Sequence, residues 1–137
     1  MSWEIVLFNS KQKIDSIENL EEDLLTPIDF YSKIEQYFEK VLETENHIEI
    51  IGKDYSIEYF RDEDLMSNLM LTLYGENALF EMIKIAKTYD WQIYDCGIDK
   101  MLNLEKPAEN GYANFQKYLE QLLNKEKKLI RNLNLLS

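Results

Sequence analysis

Histidine and cysteine, the side chains most used for nucleophilic and transition-metal chemistry, are scarce in this protein, and their spacing narrows what they could do. His47 is the only histidine and Cys96 the only cysteine, far apart in sequence. A lone thiol excludes an intramolecular disulfide and a cysteine-based zinc site. Asp62-Glu63-Asp64 is the densest carboxylate cluster. It lacks the alternating ligands and central glycine of a calcium loop, so it reads as a solvated acidic loop, and no metal is expected. Cys96 follows a predicted strand in Asp95-Cys96-Gly97, a place where reactive groups often stand. The adjacent Asp95 carboxylate opposes thiolate formation, so the thiol reads as a small buried hydrophobe. Gly75 lies between a predicted strand and helix, but Glu76 follows it and no lysine does. That fits a tight turn better than a phosphate cradle. There is no Gly-x-Ser-x-Gly elbow. The 26 acids offer many pairs, yet none is singled out as the facing carboxylates of a glycosidase. No catalytic residue and no cofactor is expected.

Charge is the stronger signal. Up to Leu65 the chain holds 17 Asp and Glu against 6 Lys and Arg, and from Met66 onward 9 of each, so the first half carries the whole net charge of −11. Such a surface repels nucleic acid and acidic membranes and draws in a basic partner. The chain has 137 residues, 45% of them hydrophobic, with 9 Tyr, 6 Phe and 2 Trp and only 4 Gly and 2 Pro. That composition builds a core and argues against disorder. The length fits one domain, read as residues 1–137. No run approaches the roughly 20 apolar residues of a membrane span, and the start lacks a basic region before its short apolar run, so a cytoplasmic location is expected.

The elements that would position these groups follow from periodicity. Trp3 to Phe8 reads as a mostly buried first strand. Asp15 to Leu25 reads as a short helix or an acidic loop pinned by its apolar residues. Thr26-Pro27-Ile28-Asp29 predicts a helix start, with Thr26 as cap and Pro27 in the first turn. Phe30, Ile34, Tyr37, Phe38, Val41 and Leu42 continue at helical spacing, which places Glu35, Glu39 and Glu43 on another face of the same helix. His47 to Ile51 and Tyr55 to Phe60 read as a hairpin around Gly52-Lys53-Asp54. Leu69 to Tyr74, a helix over 76–89 and Trp91 to Tyr94 make a βαβ unit with parallel strands. A loop to Glu109 precedes a long helix capped by Asn110, with Lys125, Lys127, Lys128 and Arg131 near its end. The order β-α-β-β-β-α-β-α predicts an α+β fold, a single-layer mixed β-sheet of about five strands with helices mainly on one face.

The segments Leu71 to Phe80 and Trp91 to Asp95, with the opening Trp3 to Phe8, resemble small acidic bacterial immunity-type proteins of polymorphic toxin and contact-dependent inhibition systems. The resemblance implies a cytosolic, non-catalytic domain that binds a basic toxin domain, and it carries over no residue by position. Read from charge, the partner-binding residues are Glu35, Glu39, Glu43, Glu58, Asp62, Glu63 and Asp64. Tyr55, with Tyr31 and Tyr59, would serve as aromatic anchors if exposed. The alternative is a small-molecule or enzymatic pocket near Tyr74, Asp95 and Cys96, at the carboxyl ends of the expected parallel strands. The terminal leucines Leu133, Leu135 and Leu136 allow either a monomer or a homodimer through the last helix.

Overall fold

The computed structural model describes residues 2–62 and 64–105. The chain divides into two units, Met1–Leu104 and Glu105–Ser137, and the first carries the architecture that follows. The helix expected from Asn110, its basic stretch and the dimer contact placed on it lie outside the described residues.

Among the described residues seven strands form one sheet: β1 (Ser2–Phe8), β2 (Val41–Thr44), β3 (His47–Gly52), β4 (Tyr55–Phe60), β5 (Asn68–Tyr74), β6 (Gln92–Asp95) and β7 (Lys100–Met101). Their spatial order is β2-β3-β4-β5-β1-β6-β7. Every neighbouring pair is antiparallel. The α+β class holds, while the mixed five-stranded sheet is corrected to an antiparallel one of seven strands. Strands β5 and β6 do run parallel to each other, but β1 lies between them, antiparallel to both. The near-continuous apolar run Ile5-Val6-Leu7-Phe8 explains this place, since a strand with both neighbours filled hides more of its surface than an edge strand does.

Helix α1 (Phe30–Tyr37) is half the expected length. It starts late because Ile28 is held in a bridge with Met66, each N–H donating to the other's carbonyl at 2.9 and 3.2 Å. Asp29 is therefore the cap, its Oδ1 accepting from the Ser32 N–H at 3.1 Å and its Oδ2 from the Ser32 hydroxyl at 2.6 Å. The helix stops at Phe38, whose backbone is extended (φ −103°, ψ 145°). Val41 to Thr44 then pair with β3 around a tight Glu45-Asn46 turn, Glu45 taking φ 58°. The helical spacing of Val41 and Leu42 was thus coincidental.

Helix α2 (Glu76–Tyr89) has the expected bounds and buries Ala78, Leu79, Met82, Ile83, Ile85 and Ala86. It packs on β4, β5 and β6. Its start needs Gly75, at φ 90°, where a Cβ would come within 2.6 Å of the Asp54 carbonyl oxygen in the β3–β4 turn. Helix α1 shares that face of the sheet: Phe30 packs on Trp91 with ring centroids 4.7 Å apart, and the Tyr37 hydroxyl donates to Glu81 on α2. Ile5, Leu7, Ile48, Ile50, Ile57, Leu71, Leu73 and Ile93 line the core beneath the two helices. Between β1 and α1, two short 3-10 turns (Ile17–Asn19 and Glu22–Leu24) occupy the acidic stretch.

Candidate functional site

Alternation along the strands puts every second residue on the face opposite α1 and α2. The register lines those residues up in rows. Leu42, Glu49, Glu58, Thr72 and Glu4 stand opposite one another across β2, β3, β4, β5 and β1. Beside this acidic row, Phe60 of β4 and then Met70, Val6, Tyr94 and Met101 of β5, β1, β6 and β7 form an apolar one. Phe60 is 73% and Met70 54% exposed. Among the described residues no Lys or Arg occupies a strand position on this face.

Glu49 and Glu58 face each other directly on β3 and β4. Like charges in that arrangement destabilise a sheet. Among the described residues two polar groups soften the repulsion: the Tyr74 hydroxyl donates to Glu58 Oε2 at 3.1 Å, and His47 Nε2 lies 3.8 Å from the same oxygen. The bond to Glu58 raises the Tyr74 hydroxyl pKa, because its deprotonation would set two anions side by side. Glu4 stands about 10 Å from Glu58 across β5, two strand spacings away.

The eight residues singled out from sequence divide among different places. Glu58 lies in the acidic row. Glu35 and Glu43 sit on the helix side, where both accept from the Arg61 guanidinium, Glu43 at 3.1 Å. The two share one cation, which offsets half of their charge, and Glu43 stands on β2, which corrects the picture of a single acidic helix face. Glu39 stands exposed in the connection between α1 and β2. Tyr55 is half-buried on the helix side, where its ring fills the space a Cβ would take at Gly52 and meets Phe38 edge-on. Tyr31 and Tyr59 are buried and stack at 6.0 Å, so neither is a surface anchor. Asp62 and Asp64 are exposed in the β4–β5 connection, where the Asp62 N–H donates to the Tyr31 hydroxyl. Glu63 lies outside the described residues.

The alternative pocket does not assemble. Tyr74 pairs with Ser2 on the open face, whereas Asp95 pairs with Ile5 on the helix face, is 1% exposed and accepts from the Gly97 N–H at 2.7 Å. Strand β1 separates the two. Cys96 is exposed rather than buried, and partial burial together with Glu4 and Asp95 pushes its thiol pKa up, away from a reactive thiolate. Among the described residues no group of three or more His, Cys, Asp or Glu is placed to hold a metal ion. No helix among them is long and apolar enough to cross a membrane.

Glu4 and Glu49 were missed as site residues although each is the polar member of an apolar alternation, in Trp3-Glu4-Ile5 and Ile48-Glu49-Ile50. That alternation was the available signal. Compared with protein-family models, curated proteins and solved structures, the chain matches none.

Proposed function

We propose that this chain is a non-catalytic acidic binding protein whose open sheet face docks a basic protein partner. The role is that of an immunity protein or inhibitor blocking a basic toxin domain in the cytoplasm, with a nuclease domain's phosphate-binding cleft as the natural complement. The observation that carries the reading is the acidic row Glu49-Glu58-Thr72-Glu4, with no Lys or Arg at a strand position of that face among the described residues and with exposed Phe60 and Met70 at its border. Charge of one sign steers the encounter, and the desolvated apolar side chains hold the complex. The same face disfavours direct contact with nucleic acid, whose phosphates it repels.

The test measures association between the purified chain and the product of the neighbouring reading frame, at low and high salt. The triple variant Glu4→Lys, Glu49→Lys, Glu58→Lys should associate at least tenfold more slowly at low salt, and salt should slow the wild-type protein toward the same rate. Absence of association, or a rate indifferent to both salt and the reversals, would refute the reading.

A further inference from the structure

Strands β4 and β5 pair over only three residues, Ser56 to Glu58 against Thr72 to Tyr74. Both strands continue beyond that point, still paired on their outer sides: Tyr59 and Phe60 with β3, Leu69 to Leu71 with β1. The sheet therefore forks in its middle. A groove of about 730 Å³ occupies the fork, lined by Glu58, Thr72 and Glu4 of the acidic row and by Phe60 and Met70 of the apolar one. Arg61 also borders it, but Glu35 and Glu43 hold that guanidinium on the helix side. Tyr59 borders it too, but its ring turns to the helix side and stacks on Tyr31.

We infer that the fork receives one arginine side chain of the basic partner, an inference that rests on the partner-binding reading above. Two carboxylates flanking Thr72 supply the charge for one cation. Glu58 is held in place by the Tyr74 hydroxyl, which favours a fixed, bidentate contact over a diffuse one. The exposed Phe60 ring and the flexible Met70 side chain offer walls for a planar, weakly hydrated guanidinium and its aliphatic stem. Those features select arginine over lysine, whose compact ammonium neither stacks nor forks.

The probe is the tripeptide acetyl-Gly-Arg-Gly-amide, titrated into the ¹⁵N-labelled full chain, with lysine and citrulline peptides alongside. The arginine peptide should give saturable shifts at the Phe60, Met70 and Thr72 amides, binding at least fivefold tighter than the lysine peptide. Citrulline, an uncharged isostere, should give none. The Glu4→Gln, Glu58→Gln double variant keeps the side-chain shapes, its spectrum reports that it is folded, and it should bind the arginine peptide at least tenfold more weakly. Equal shifts from citrulline, shifts centred away from the fork, no saturable shift, or an unaffected double variant would each overturn the inference. If the peptide fails while charge reversal still slows partner association, the fork is wrong and the binding reading stands. If the peptide binds at the fork but no basic partner associates, the converse holds.

Discussion

Replacing Thr72 by lysine should make the protein more stable, because it puts a cation at the centre of the acidic row. Thr72 stands directly opposite Glu58 on one side and Glu4 on the other. An opposite-charge pair across neighbouring strands is worth roughly 0.2–1 kcal/mol, so two such pairs give about 0.4–2 kcal/mol. Loss of threonine's strand preference subtracts up to about 0.5 kcal/mol. A net gain of about 1 kcal/mol raises the melting temperature by about 4 °C for a domain of this size. Thr72→Gln has a similar length without the charge, and the difference between the two variants isolates the cation. Thermal unfolding followed by circular dichroism at low salt reads the effect. Near 1 M salt, where the screening length falls to about 3 Å, the difference should vanish. A lysine variant no more stable than the glutamine variant at low salt would refute the claim that the row is electrostatically strained. The gain would come at the expense of partner binding, the usual exchange where a surface is kept unsatisfied for function.

Two further predictions concern the scaffold. Gly75→Ala forces a side chain into a positive-φ conformation costing about 1–3 kcal/mol and drives its Cβ toward the Asp54 carbonyl, so the melting temperature should fall by about 4–12 °C. Gly97→Ala, with no positive φ and only the Asp95 carboxylate at 3.1 Å, should lower it far less, and equal losses would contradict the account. Asp29 caps α1, and its bonds to Ser32 lower its pKa below 3.8. Because the folded value lies below the unfolded one, the cap's charge-dependent stabilisation is complete above the unfolded value and is lost as pH falls through the folded one. Asp29→Ala should cost about 1 kcal/mol at neutral pH in urea unfolding. Asp29→Asn should cost less and lose the acid dependence, and an unchanged acid dependence in that variant would point to other carboxylates.

What could be read from the chain follows its local periodicities. Helix α2 and the β3–β4 hairpin emerge where expected because each is specified by neighbours in sequence: apolar spacing in one, a turn between alternating strands in the other. Helix α1 was overextended because Val41 and Leu42 suit either period, and only pairing with β3 decides between them. The acidic half of the chain was recognised, but linear charge does not say which face a carboxylate occupies. Glu35 and Glu43 share Arg61, a contact between α1, β2 and the end of β4 that no local pattern announces. Glu4, Glu49 and Glu58 come together only once β1 is known to lie beside β5.

The interior place of β1 also bears on the order in which the sheet can form. Strands β2, β3 and β4 are joined by tight turns, so their meander can close early, with little loop entropy to overcome. Strand β1 has no such neighbour: its two partners, β5 and β6, lie some sixty and more residues downstream and are synthesised long after it. Until then Ile5, Val6, Leu7 and Phe8, a short apolar run of high strand preference and no charge, remain without a sheet to enter. A strand that ends inside the sheet is thus an apolar segment open to self-association until β5 and β6 arrive, and completing the sheet around it is expected to be slow and concentration-sensitive.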